Sequence, residues 1–179
     1  MSKKNLVKNP MKNYAFAHKE SLMFRTMRRI DRAVSEKEAW DIVKKGDWGT
    51  LSLIGDEGYP YGVPLNYIVE DGKLYFHSGA KGHKLDAMKA SSKACFTIVT
   101  KAQVIQDKVT TAYESVILFG NVRIIEDPAI TRSFIVKMAY GFGPITDSSR
   151  IDKALVPGAC PAVVMEFIPD HIQGKATKY

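Results

Sequence analysis

The period of the hydrophobic positions changes several times along this chain, and each change marks an element. Ala39, Trp40, Ile42 and Val43 fall at helical spacing. Ser35-Glu36-Lys37-Glu38 stands just before them. That is capping-box spacing: the serine oxygen accepts from a free backbone N–H and the glutamate reaches back. Gly46 ends the predicted helix. From Trp48 the period drops towards two, and Trp48-Gly49-Thr50-Leu51-Ser52-Leu53-Ile54 reads as a strand. Asp56-Glu57-Gly58 is a turn, and a second strand follows over 59–69. Pro60 and Pro64 lie within it, and proline removes a ladder donor, so these positions need an edge, a bulge or a strand end. Asp71-Gly72 tolerates positive φ and predicts a hairpin, with 73–77 as the return strand. The three strands make an antiparallel meander.

Ser78-Gly79-Ala80-Lys81-Gly82-His83-Lys84 is a glycine-containing turn. It opens a helix whose Leu85, Ala87 and Met88 face the core. Residues 93–100 are strand again, and 113–125 are a long strand or a pair bent at Gly120. Asp127-Pro128 is the pairing of an N-cap with proline in the first turn. Ile130, Phe134, Ile135, Met138 and Ala139 then recur at helical spacing until Gly141-Phe142-Gly143-Pro144 stops the helix. A last strand covers 162–168. About six strands and three short helices result, joined mostly by short connections. The predicted fold is mainly β, of α+β type: an antiparallel barrel with helices over its ends.

Composition narrows the class. A chain of 179 residues with 45% hydrophobic and 25% charged positions is expected to fold as one globular domain. The formal charge of +7 looks like a signal for an anionic partner. Its distribution weakens that reading. Lys3, Lys4, Lys8, Lys12, Lys19, Arg25, Arg28, Arg29 and Arg32 crowd the start of the chain. We therefore read residues 1–24 as a basic arm and 25–179 as the folded domain. The two cysteines, Cys95 and Cys160, sit in apolar runs and read as buried thiols; with no CxxC they support neither zinc nor a disulfide framework. No apolar segment follows Lys3 and Lys4, and no run of about 18 apolar residues occurs. A cytoplasmic protein without a membrane span is the expectation. RNA-binding and zinc-finger signatures are missing, so no nucleic-acid partner is expected.

Chemistry concentrates at His77-Ser78-Gly79-Ala80-Lys81-Gly82-His83-Lys84-Leu85. A strand ends, small residues turn the chain, and a helix begins. The first N–H groups of a helix have no internal partner and carry partial positive charge, so they favour an anion. Ser78, Lys81, His83 and Lys84 add donors and cations. These are the parts of a phosphate cradle, though the P-loop pattern is absent and an ordinary basic turn uses the same residues. Gly62-Val63-Pro64-Leu65-Asn66-Tyr67 lies on the neighbouring strand. Asn66 offers donor and acceptor, which suits a heterocycle edge; a bulged strand with a surface asparagine is the plainer alternative. Tyr113-Glu114-Ser115-Val116 brings polar residues into a strand, as pocket wall or strand start. The four histidines, His18, His77, His83 and His171, show no metal spacing. His77 is the candidate proton donor, because imidazole titrates near neutrality; a hydrogen-bonded structural histidine fits equally.

In this order, Met27-Arg28-Arg29-Ile30-Asp31-Arg32, Tyr59-Pro60-Tyr61-Gly62-Val63-Pro64-Leu65-Asn66-Tyr67 and Phe76-His77-Ser78-Gly79-Ala80-Lys81-Gly82-His83-Lys84-Leu85 resemble the 5-nitroimidazole resistance (Nim) proteins, within the pyridoxamine-phosphate-oxidase-like flavoproteins. Tyr113-Glu114-Ser115-Val116 with Gly120, and Ile172-Gln173-Gly174-Lys175-Ala176, fit as well. The likeness runs from about Arg25 to the end. It implies a split barrel that binds FMN at the interface of a homodimer. Carried over, Ser78, Lys81, His83 and Lys84 hold the phosphate; Pro64, Leu65, Asn66 and Tyr67 flank the flavin ring. His77 lies near the ring, and Ser115 and Val116 approach it, from the same or the other subunit. A position often arginine in such proteins is His83 here, which weakens the phosphate grip or makes it pH-dependent. The implied activity is an FMN oxidoreductase passing electrons from a nicotinamide or other donor to a small molecule, for instance a nitro compound. The alternative is a barrel that binds flavin or haem without turnover.

Overall fold

A computed structural model of the chain describes residues 24–142, 149 and 162–177. The basic arm other than Phe24, with His18, and residues 143–148 and 150–161, with Gly143-Pro144 and Cys160, lie outside the described residues. Helix α1 spans Glu36–Lys45. Ser35 accepts from the Glu38 N–H while Glu38 accepts from the Ser35 N–H, so the capping box forms as its spacing predicts. The strands are β1 (Trp48–Ile54), β2 (Pro60–Asn66), β3 (Ile68–Glu70), β4 (Lys73–Gly79), β5 (Lys93–Ile105), β6 (Thr110–Ile125) and β7 (Ala162–Ala176). Helix α2 spans His83–Ala90 and α3 spans Pro128–Gly141. The Asp127 side chain caps α3 by accepting from Ala129 and Ile130, with Pro128 in the first turn.

The strands form one antiparallel sheet in the order β2-β1-β5-β6-β7-β4-β3. It curls until β2 approaches β4, although no ladder joins them. This is the split barrel, with seven strands where the pattern suggested six. The extra strand comes from the run 59–69, which breaks at Tyr67. There the chain crosses from one edge of the sheet to the other. Tyr67 is buried, and its hydroxyl donates to the Val43 carbonyl oxygen at 2.5 Å. The Tyr67 N–H and the Asn66 side-chain amide both donate to the Asp47 carbonyl. The crossing is thus bolted to the turn after α1. Burial raises the pKa of the Tyr67 hydroxyl, which keeps it a protonated donor.

Alternation sorts the side chains into two faces. Leu51, Leu74, Phe76, Phe96, Leu118 and Phe167 point inward and are fully buried. Each contributes roughly 1.5–3 kcal/mol by leaving water. The Ala39, Ile42 and Val43 face of α1 and the Leu85, Ala87 and Met88 face of α2 complete this core. A second cluster lies outside the barrel. There α3 lays Phe134 and Met138 on Tyr75 and Val164, with the Tyr75 and Phe134 rings stacked at 3.9 Å. Three further observations revise the sequence reading. β5 and β6 extend to Ile105 and back from Thr110, further than their apolar cores indicate. β7 continues past Ile168 to Ala176. Cys95 is half-buried, with its burial pattern placing it on the outer face.

Candidate functional site

The turn after β4 has the geometry an anion requires. Gly82 takes φ 124° and ψ 167°, backbone that a side chain would strain, and this swing starts α2. The Leu85 and Asp86 N–H groups donate to the Gly82 carbonyl. Those of His83 and Lys84 precede the first helical hydrogen bond and have no partner within the helix. No side chain caps this end. Lys84 is half-buried, and burial holds its ammonium below the usual lysine range. Among the described residues it has no ion-pair partner. A desolvated cation beside an uncapped helix start is a locus of unsatisfied positive charge.

The neighbours differ in how free they are. Lys81 is exposed, and the Ser78 hydroxyl donates to the Gly79 carbonyl at 3.1 Å. The His83 ring stacks on Tyr61 at 4.2 Å, with Nε2 3.6 Å from the Asp56 carboxylate. An anion at this turn shares His83 with Asp56. The Tyr61–His83 stack also fixes the turn against the start of β2, across the split in the barrel. His77 is exposed on the outer face of β4, opposite Val164.

β2 runs from this turn towards Asn66, about 16 Å further along at strand rise. The side chain of Tyr67 is buried in the barrel interior and that of Leu65 packs half-buried against it, so Tyr67 offers a ligand only its backbone. Pro64 and Asn66 are exposed. Val116 is buried in the core, while Ser115 alternates to the outer face opposite Val99. Two strands, β1 and β5, separate β2 from β6. At ordinary strand spacing Ser115 stands roughly 14 Å from β2. One chain therefore gathers Ser78, Lys81, His83, Lys84, Pro64 and Asn66 along the split and leaves Ser115 and Val116 apart.

Several cavities among the described residues lie elsewhere. One of about 290 Å³ involves Phe24, Ser52, Cys95 and Phe119. Another of about 350 Å³ lies between Trp48 and the Val99–Lys101 stretch. Sequence reasoning missed this second cavity. Its only sequence signal was a tryptophan at an outward position of β1.

A sequence model described as pyridoxamine 5'-phosphate oxidase matches residues 35–175. The chain belongs to the pyridoxamine 5'-phosphate oxidase family. No match is found among curated protein sequences. Solved structures agree on the fold of this family member. A candidate 5-nitroimidazole antibiotic resistance protein from Bacteroides thetaiotaomicron VPI-5482 superposes with a TM-score of 0.66 at 23% identity, over 80% of this chain and 85% of that one. The conserved protein Rv2991 from Mycobacterium tuberculosis gives 0.68 at 23% identity, over 84% and 90%. The flavocytochrome Anf3 from Azotobacter vinelandii gives 0.68 at 15% identity, over 89% and 75%. The split barrel is thus a fold also found in a flavocytochrome. Among the described residues no helix is long and apolar enough to cross a membrane.

Proposed function

We propose that this protein is a cytoplasmic, FMN-dependent oxidoreductase that works as a homodimer and reduces a small molecule such as a nitroimidazole or nitroaromatic. One observation carries the reading: Lys84 is a partly desolvated cation with no ion-pair partner among the described residues, set beside an uncapped helix start. A phosphate supplies the missing charge and accepts from the free N–H groups. Ser78, Lys81 and His83 add donors around it. The residues present therefore fit the phosphate end of the cofactor.

From that turn, β2 offers a straight track for the ribityl chain and the ring. Pro64 and Asn66 border the ring with their side chains, Leu65 and Tyr67 with their backbones. Bound FMN supplies the redox chemistry, with a nicotinamide as electron donor. His77 is exposed on the outer face and holds a proton for the reduced product. Ser115 and Val116 are too far from β2 to act on the same cofactor within one chain, so a second copy brings them. The outer face suits that contact. Trp48, Ile54 and Val99 are 60%, 52% and 51% exposed on it, an apolar surface awaiting cover.

An absorption spectrum of the purified protein incubated with FMN tests the proposal. The expected result is a yellow protein whose flavin bands bleach with dithionite and with a nicotinamide reductant. A colourless protein that takes up no FMN removes the proposal. A Soret band, or bound flavin that no nicotinamide reduces, replaces it with a cofactor-binding role without turnover.

A further inference from the structure

The block Met27-Arg28-Arg29-Ile30-Asp31-Arg32 has no part in the FMN reading, yet its later residues wall a cavity. The volume is about 530 Å³, with Arg29, Arg32, Val34, Glu38 and Thr177 among the lining residues. Its origin lies in the sheet. β4 pairs with β7 only along Ala162–Phe167, which leaves the rest of that edge of β7 without a strand. The chain before α1 takes the place: Ala33 bridges Lys175, and the Val34 N–H donates to the Gly174 carbonyl. Gly174 permits this approach, since a Cβ there would lie 2.5 Å from Val34 Cγ2 and 2.9 Å from the Ala39 Cβ. The cavity lies beside this seam, and none of Trp48, Ile54 and Val99 lines it.

Its charges are unevenly matched. Arg29 donates to Asp31 at 2.8 and 2.6 Å, and Glu38 accepts from the Ser35 N–H and hydroxyl, both at 2.8 Å. Both carboxylates of the lining are thus engaged. Arg32 is half-buried, with its guanidinium 5.9 Å from the Tyr113 ring centre and Nη1 3.4 Å from the Tyr113 hydroxyl. Lys175 is half-buried too and lies directly opposite Ser115. Among the described residues neither cation has an ion-pair partner. A guanidinium set over a ring keeps its donor edge for a phosphate or carboxylate. Tyr113 precedes Ser115 by two residues, so both face outward, about 7 Å apart at strand rise. Two unmatched cations therefore stand close to the residue that this copy presents to its partner's flavin ring. The cavity beside them has the size of a pocket for a whole small molecule rather than for one carboxylate.

We infer that Arg32 and Lys175 hold the pyrophosphate of a dinucleotide electron donor, whose dihydronicotinamide, one ribose away, reaches the flavin held by the partner copy. The cavity receives the nucleoside end, so each copy binds the donor for the other. The inference rests on the oxidoreductase reading. It adds two specificity-determining residues and requires a donor that carries phosphates.

The FMN-loaded protein is the material for the test, because its other anion site is filled. Calorimetric titration with ADP-ribose, which has the pyrophosphate but no nicotinamide, should show binding. Arg32→Gln or Lys175→Gln should weaken that binding about tenfold. In steady-state kinetics the preference for NADH over N-benzyl-dihydronicotinamide, which lacks phosphate, should fall about tenfold in either variant. Arg32→Lys, which keeps the charge and loses the fork, should fall between. A wild-type protein that takes up FMN and does not bind ADP-ribose overturns the inference and spares the oxidoreductase. So does an unchanged donor preference in both variants. So does a KM that rises for the acceptor instead of the donor, which assigns the cations to an anionic substrate. A wild-type protein that takes up no FMN strikes the oxidoreductase, and the inference with it. If one glutamine variant does not fold, the other gives the same reading.

Discussion

Replacing Lys84 by methionine should move cofactor affinity and apo-protein stability in opposite directions. Methionine keeps much of the aliphatic stem and removes the charge. Burial already holds the ammonium below the usual lysine range. A lysine with a depressed folded pKa binds its proton less tightly folded than unfolded. Its charge therefore costs stability at neutral pH, and stability recovers as pH rises through the folded pKa towards the ordinary lysine value. Lys84→Met removes that cost, so the apo-protein should be at least as resistant to urea as the wild type.

FMN binding should suffer. Two unit charges about 4 Å apart near a protein surface attract by about 4 kcal/mol before desolvation is subtracted. The net worth of a hydrogen bond to a charged group is about 1.5–3 kcal/mol. A loss of 1.4 kcal/mol is about tenfold, so affinity should fall by about ten- to a hundredfold. Lys84→Arg keeps the charge and should lose much less. Flavin-fluorescence titration gives the affinity, and urea denaturation of apo-protein gives the stability. Unchanged FMN affinity in Lys84→Met refutes the phosphate assignment. A marked loss of apo stability in the same variant refutes the argument that this cation is held unsatisfied.

Two further substitutions probe the frame around the site. Gly82→Ala meets no atom within 4 Å of the added methyl, so its cost is the backbone at φ 124° alone; stability should fall by about 1–3 kcal/mol in urea, with FMN binding weakened as the turn relaxes. Glu166 is buried between Lys73 at 2.9 Å, the Tyr75 hydroxyl at 3.0 Å and Arg123 at 2.5 Å. Burial alone would raise its pKa, but these three hydrogen bonds outweigh it and leave the carboxyl below its ordinary value. Its contribution is then complete above the ordinary carboxylate pKa and is lost as pH falls through the lowered one. Glu166→Gln should cost roughly 1–3 kcal/mol at neutral pH and flatten the acid side of the stability profile.

Local signals in the sequence carried most of the fold. The capping box at Ser35 and Glu38, the Asp127-Pro128 start and the Asp71-Gly72 hairpin each act within a few residues, so composition reveals them. The break at Tyr67 was hidden because its cause is remote. A carbonyl at Val43, the Asp47 turn and the closure of the barrel fix it. The outer parts of β5 and β6 were hidden because they extend beyond the core. Lys101, Ala102, Gln103 and Val104 are exposed, so no apolar alternation marks them as strand. The start of α2 after Gly82 was legible for the same reason as the caps, since a helix start is local. The separation of Ser115 from Asn66 was not, because it depends on β1 and β5 lying between them. The Trp48 cavity depends on a register shift in a different strand, which no periodicity in β1 reports.

The two ends of the proposed cofactor site are therefore built on different principles. The phosphate end is complete in one chain: backbone N–H groups, a desolvated lysine and a glycine corner hold their places before any ligand arrives. On the proposed reading the ring end is an open sheet face, and the second set of bordering residues comes from another copy. A ligand that spans both ends binds the dimer better than the monomer. By reciprocity, it tightens the dimer by the same factor. FMN affinity should then rise with protein concentration through the range in which the apo-protein associates, while binding of inorganic phosphate, which needs only the complete end, should not. That contrast follows from strand order together with the proposed roles of Ser115 and Val116. If FMN and phosphate respond alike to protein concentration, the ring does not lie between two copies.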